Sequence, residues 1–137
     1  NVSAIAGFGQ AALIAFDVLG KHNEDMKKLR DKLEFNLLNK FAEISIAGIN
    51  TERLPNTSLI INPKITAQIM LIALDLKGVE VSSGSACSSG TVGKSHVLSA
   101  MGYSDDEIKS AIRISLGRTT SNKNINDFLE IYSELNK

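Results

Sequence analysis

The sequence predicts an α+β fold of the two-layer α/β kind: a small, mostly antiparallel sheet with helices packed on one face. Three observations predict it. Two stretches of helical apolar spacing come first, short β-rich runs then mix with helices, and residues 112 to 116 alternate strictly. The 137 residues suit one domain with a real core, and 43% apolar against 22% charged residues is a globular balance. Fifteen Lys and Arg offset fifteen Asp and Glu, for a formal net charge of zero. That balance removes any general electrostatic drive toward nucleic acid or an anionic membrane. No apolar run is expected to approach the ~20 residues that a membrane helix needs. The opening Asn-Val-Ser-Ala-Ile has no Met, charged leader or cleavage signature. The expectation is a chain without a targeting segment, cut from something longer.

Residues 2 to 19 are apolar nearly all round, through Val2, Ile5, Phe8, Leu13, Ile14, Phe16, Val18 and Leu19. Such a helix is buried on several sides or covered by a partner, and it is expected to expose an apolar surface in isolation. Gly20 reads as its stop, and a second helix is expected from Asn23. Met26, Leu29, Leu33, Leu37 and Phe41 give that helix one apolar stripe. Ile44 to Ile46 alternates and reads as a short strand ended by Gly48. Ser58 to Asn62, between Pro55 and Pro63, reads as a second. Thr66 opens a helix through Leu76, closed by Gly78. Lys94 to Met101 reads as a short helix closed by Gly102, and Ser104 with Glu107 has capping-box spacing. Ile112, Ile114 and Leu116 then face one side of a strand, with Arg113 and Ser115 on the other. A last helix from about Ser121 carries Ile125, Phe128, Leu129, Tyr132 and Leu135.

Chemistry concentrates in Ser82-Ser83-Gly84-Ser85-Ala86-Cys87-Ser88-Ser89-Gly90. Cys87 is the only cysteine, which excludes an internal disulfide or a multi-cysteine zinc site in one chain and fits a reducing compartment. A lone cysteine is ordinarily a small buried hydrophobe. Six serines and three glycines between Ser82 and Ser95 favour the other reading, because their polar groups make a poor core. A mobile surface loop from about Ser83 to Lys94 is expected, whose thiol could approach a substrate held elsewhere. Lys94 and His96 are the nearest cationic candidates, although His96 reads equally as an ordinary surface residue. Ser88 to Ser95 nearly spells a phosphate-binding loop, but serine replaces its first glycine and the following helix is only about two turns long. Arg113, one of four arginines, is either a rim charge or a fixed guanidinium that takes a carboxylate through two parallel hydrogen bonds. The strand pattern alone leaves both readings open.

Three blocks carry a resemblance: Ser-Ser-Gly-Ser-Ala-Cys at 82–87, Ser-His-Val-Leu-Ser-Ala-Met-Gly at 95–102, and Ile-Arg-Ile-Ser-Leu-Gly-Arg-Thr-Thr at 112–120. In this order and spacing the chain resembles the C-terminal part of a cysteine desulfurase of the NifS/IscS type, a class-V aminotransferase. The resemblance implies the small C-terminal domain of a fold-type-I pyridoxal-phosphate enzyme. Residues 1–20 would be the helix that joined a large domain, and 21–137 the small domain carrying the cysteine loop at 82–95. It matches Cys87 to the persulfide-forming cysteine and Arg113 to the arginine that holds the substrate carboxylate. The Gly-Ser-Ala-Cys segment resembles the long mobile loop of the first desulfurase group.

The cofactor lysine, the aromatic ring partner and the aspartate of the family belong to the large domain. Asn1 matches the end of a Gly-Thr-x-Asn motif whose phosphate-binding threonine would lie upstream, so no cofactor-binding residue is expected in this chain. Pyridoxal phosphate would serve the complete enzyme and would not bind this chain alone. The implied partners are L-cysteine, a second subunit in a homodimer, an iron–sulfur scaffold protein and other sulfur acceptors, including those for tRNA thiolation. With the scaffold, Cys87 would help ligate a 2Fe–2S cluster. No nucleic acid is expected to bind directly, and no membrane. The implied location is the cytoplasm, or the mitochondrial matrix for an organellar enzyme. The competing reading is a non-enzymatic persulfide carrier or scaffold-docking module.

Overall fold

In the computed structural model, residues 1–84 and 95–136 are described, and Val2–Lys40 forms one 39-residue helix, α1. Two helices divided at Gly20 were expected, and this is corrected. Gly20 does not take the left-handed backbone that ends a helix; among the described residues only Gly48, Gly78 and Gly102 have positive φ. A glycine inside a helix costs only about 1 kcal/mol, less than interrupting a helix whose second half is packed. Asn1 caps the start, its Oδ1 accepting from the Ala4 N–H at 3.1 Å.

Among the described residues four short strands follow: β1 (Ser45–Ile46), β2 (Thr57–Ile61), β3 (Ser82–Ser83) and β4 (Ala111–Ser115). They form one sheet in the order β1-β2-β4-β3, every pair antiparallel, which puts β4 between β2 and β3. The helices between and after them are α2 (Ala67–Asp75), α3 (His96–Ala100), α4 (Asp105–Ser110) and α5 (Asn122–Leu135). The expected capping box at Ser104 and Glu107 is present, and these hydrogen bonds hold the Glu107 carboxyl below its ordinary range. Ser121 with Asn124 makes a second box at the start of α5. Thr66 precedes α2 without a side-chain cap bond.

The α1 stripe meets the sheet as its spacing requires. Leu33 and Leu37 are fully buried against Ile60, Ile112 and Ile114, with Met70 and Leu74 of α2 and Ile125, Phe128 and Tyr132 of α5. The Phe128 and Tyr132 rings stack at 5.5 Å, and Phe41 meets Tyr132 edge-on at the same distance. Burial raises the Tyr132 hydroxyl above its ordinary pKa, although it accepts from Asn62 at 3.2 Å. On the other face, at one end, Ile61 and Ala111 pack with Leu98 of α3 and Ile108 of α4 in a smaller second cluster.

A buried ionic knot ties the 48–56 loop to α1. Arg53 donates to both Glu34 carboxylate oxygens at 2.8 Å, and Arg30 donates to the Leu54 carbonyl at 2.7 Å and to Asp31. The Glu34 carboxylate raises Arg53 above its ordinary pKa.

The first half of α1 touches little. Val2, Ile5, Phe8 and Phe16 are all exposed, as expected of a helix made to be covered. An 18-residue window there has a mean hydropathy of 1.7, so by length and composition this helix could cross a membrane, which amends the expectation from run length. Ser3, Gln10 and Asp17 break it at seven-residue intervals and share one side. A single polar seam on an apolar cylinder suits a helix packed in protein on most sides.

Glu34→Ala should destabilise the fold by about 3 kcal/mol, because it strands a largely buried Arg53 without its partner. Urea unfolding measures this, and a loss below about 1 kcal/mol would show that the knot contributes little.

Candidate functional site

Arg113 stands at the middle of β4, paired with Leu59 of β2 on one side and Ser82 of β3 on the other. The alternation seen in the sequence explains its direction. Ile112 and Ile114 enter the main core, so Arg113 and Ser115 must face away from it. Arg113 is only half exposed, and its Nε is buried with no hydrogen-bond partner. Among the described residues, no carboxylate pairs with this guanidinium. A buried unpaired donor costs about 1–3 kcal/mol; Arg53 Nε and Ser58 Oγ are likewise buried without a partner, but of the three only Arg113 belongs to a guanidinium without a carboxylate among the described residues. The fold therefore carries a cationic fork on a rigid central strand, fit to take a carboxylate.

Cys87 and Lys94 lie outside the described residues, as does the expected mobile loop beyond Gly84. The near phosphate-loop pattern lies there too, up to Ser95. The two ends of that stretch are described. Ser82 and Ser83 form β3, an element the sequence reading left as loop, and the Gly84 N–H donates to the Ala111 carbonyl at 2.8 Å. At the far end Ser95 caps α3, accepting from the Leu98 N–H at 3.3 Å, and Leu98 is buried against Ala111 and Ile108. Both ends are thus fastened beside the strand that carries Arg113. His96 is exposed on the first turn of α3 and makes no hydrogen bond or ion pair among the described residues. The five-residue α3 is far shorter than the helix of a phosphate-binding loop.

No metal cluster of three or more His, Cys, Asp or Glu exists among the described residues. The described residues alone give no covalent site for pyridoxal phosphate. Every described lysine but Lys32 is exposed on the surface, and Lys32 donates to Asn122 at 3.0 Å. None is held in an enclosed site where a covalently bound cofactor could sit. A groove of about 410 Å³ runs between Val79–Val81 and α5, but its lining includes Ser115 and Thr120 and not Arg113. Sequence reasoning missed the Glu34–Arg53 knot and the pairing of Ser82 with Arg113.

The fold and site define a class: a small α+β domain whose antiparallel sheet carries one half-buried arginine on its central strand. The chain belongs to the class-V aminotransferase family, whose profile matches residues 1–128. It is 36% identical to a cysteine desulfurase of Archaeoglobus fulgidus over 131 residues, which covers 96% of this chain and 34% of that protein. A cysteine desulfurase of Nostoc sp. is 38% identical over 135 residues, 98% of this chain and 34% of the relative. The chain therefore spans about a third of the length of the curated relatives it matches. A solved NifS-like protein from Rickettsia africae superposes with a TM-score of 0.86 at 41% identity, covering 99% of this chain and 35% of that one.

Arg113→Met should leave the melting temperature of the fold unchanged or raise it, because the substitution keeps the stem and removes a buried unsatisfied donor. A fall of many degrees in thermal unfolding would mean that the guanidinium is a structural group.

Proposed function

We propose that this chain is the C-terminal small domain of a pyridoxal-phosphate-dependent cysteine desulfurase, with residues 1–20 as the helix joined to its large domain. The observation that carries the reading is Arg113, a half-buried guanidinium with a buried unpartnered Nε, on the strand that also anchors the segment leading to Cys87. The desulfurase names of relatives aligned over nearly the whole chain support it.

The cofactor, held by residues outside this chain, supplies the electron sink that labilises bonds of the bound amino acid. Arg113 binds the L-cysteine carboxylate and fixes its orientation through two parallel hydrogen bonds. The Cys87 thiolate attacks the substrate sulfur. The substrate carbon–sulfur bond breaks as the new sulfur–sulfur bond forms, and protonation of the carbon gives L-alanine. The balance is L-cysteine plus a protein thiol giving L-alanine plus a protein persulfide. The persulfide then passes to acceptors, an iron–sulfur scaffold protein and carriers for tRNA thiolation, in the cytoplasm or the mitochondrial matrix. The complete enzyme works as a homodimer, and Cys87 joins the ligands of a 2Fe–2S cluster on the scaffold. The half-covered α1 is where the large domain seats.

The reading separates binding from sulfur capture in the complete enzyme. Arg113→Ala should weaken cysteine binding by about 2 kcal/mol or more, and lysine should recover little, since a point charge cannot copy the fork. Cys87→Ser should keep cysteine binding and abolish the persulfide, read by mass spectrometry of the protein. Desulfuration at the parental rate by Cys87→Ser would remove Cys87 from the mechanism.

The chain by itself should yield no alanine from cysteine and retain no pyridoxal phosphate after dialysis. Alanine production by the purified chain would overturn the assignment of the cofactor site to other residues.

A further inference from the structure

Gly84 sits where β3 ends, opposite Ala111 in the extension of the Ser82–Arg113 and Ser83–Ile112 register. Its backbone is not in the left-handed region, so any residue could adopt its conformation. The demand at this position is for space. Opposed Cβ atoms in an antiparallel pair ordinarily stand about 4.5–5.5 Å apart. A Cβ on Gly84 would stand 3.0 Å from the Ala111 Cβ, 3.4 Å from its carbonyl oxygen and 3.6 Å from Leu59 Cδ1. Neither a backbone oxygen nor a fully buried methyl can give way, so β3 would have to move.

The strand that would move flanks Arg113. Ser82 is its register partner on β3, two residues from Gly84, while Leu59, its partner on β2, would stand at an ordinary contact distance of 3.6 Å from the added Cβ. We infer that Gly84 is a positioning residue for carboxylate recognition: its bare α-carbon lets β3 close onto Ala111 and so sets Ser82 beside Arg113. The inference rests on the reading of Arg113 as the carboxylate receptor. It assigns the glycine a role in substrate affinity in addition to its place in the segment that leads to Cys87.

The test is a size-compensation cycle in the complete enzyme that contains this chain, comparing Gly84→Ala, Ala111→Gly and the double variant with the parent. A glycine-to-alanine change without a clash would be neutral or stabilising, so a loss is informative. Gly84→Ala should raise the KM for L-cysteine about tenfold with kcat within about threefold, as expected of a small displacement at a binding group. Ala111→Gly in the same chain removes the opposing methyl and should return KM to near that of the single Ala111→Gly variant. Melting temperatures of all four proteins report whether the two positions are sterically coupled, independently of turnover. An unchanged KM in Gly84→Ala overturns the inference, as does a raised KM that Ala111→Gly fails to restore. A fall in kcat and melting temperature at constant KM also overturns it, since that is packing alone. A parent enzyme without cysteine desulfuration would overturn the functional reading and this role with it, while the melting-temperature cycle would still show whether the 84–111 contact exists.

Discussion

The alternation of side chains along β4 is the constraint on which the rest depends. Because β4 lies between β2 and β3, its backbone is held on both edges and its side chains can only point up or down. Ile112 and Ile114 are claimed by the core beneath α1, α2 and α5, which leaves Arg113 no direction but the opposite face. A slip of one residue in the β2–β4 register would bury the guanidinium and expose two isoleucines. The hydrophobic effect thus aims a charged group that it does not itself contact. A strand so held loses little freedom on binding, which is what a carboxylate receptor requires.

The long α1 divides the molecule by burial. Its second half carries the core stripe and the Arg30–Glu34–Arg53 knot, both of which need the sheet and the 48–56 loop. Its first half exposes Val2, Ile5, Phe8, Leu13 and Phe16, which none of the described residues covers. Since a continuous helix transmits position along its length, whatever seats the first half also sets the orientation of the sheet bound to the second. An unbroken helix through Gly20 therefore serves a two-body arrangement better than two helices with a hinge would.

Most of this was legible in the sequence where one strong period ruled. The stripes on α1 and α5, the alternation at 112–116 and the capping box at Ser104 rest on local patterns that the packed structure has no reason to override. Gly20 was misread because a helix stop needs a backbone conformation, and composition cannot show which one a glycine takes. β3 was missed because Ser82 and Ser83 have no apolar face; they are strand residues only because β4 offers them an edge. The Glu34–Arg53 knot joins residues nineteen apart in sequence, and no spacing rule connects a helix to a loop. Arg113 was visible as a candidate, but its unpartnered Nε, which favours a ligand over a rim charge, is a property of the fold.

The two chemical tasks proposed for Arg113 and Cys87 place opposite demands on the structure. A receptor for a carboxylate must stay still, whereas a group that takes sulfur from one molecule and passes it to another must be brought to each. The arrangement meets both with one rigid base. Ala111 is two residues from Arg113 on β4, accepts the hydrogen bond from Gly84, and packs against Leu98 of the helix that begins after Ser95. Both ends of the segment containing Cys87 are therefore referred to the strand that carries Arg113. Whatever course residues 85–94 take, they start and finish at points fixed relative to Arg113. The small side chain of Ala111 is what lets three elements meet there, and a larger residue would have to displace either the strand edge at Gly84 or the helix at Leu98.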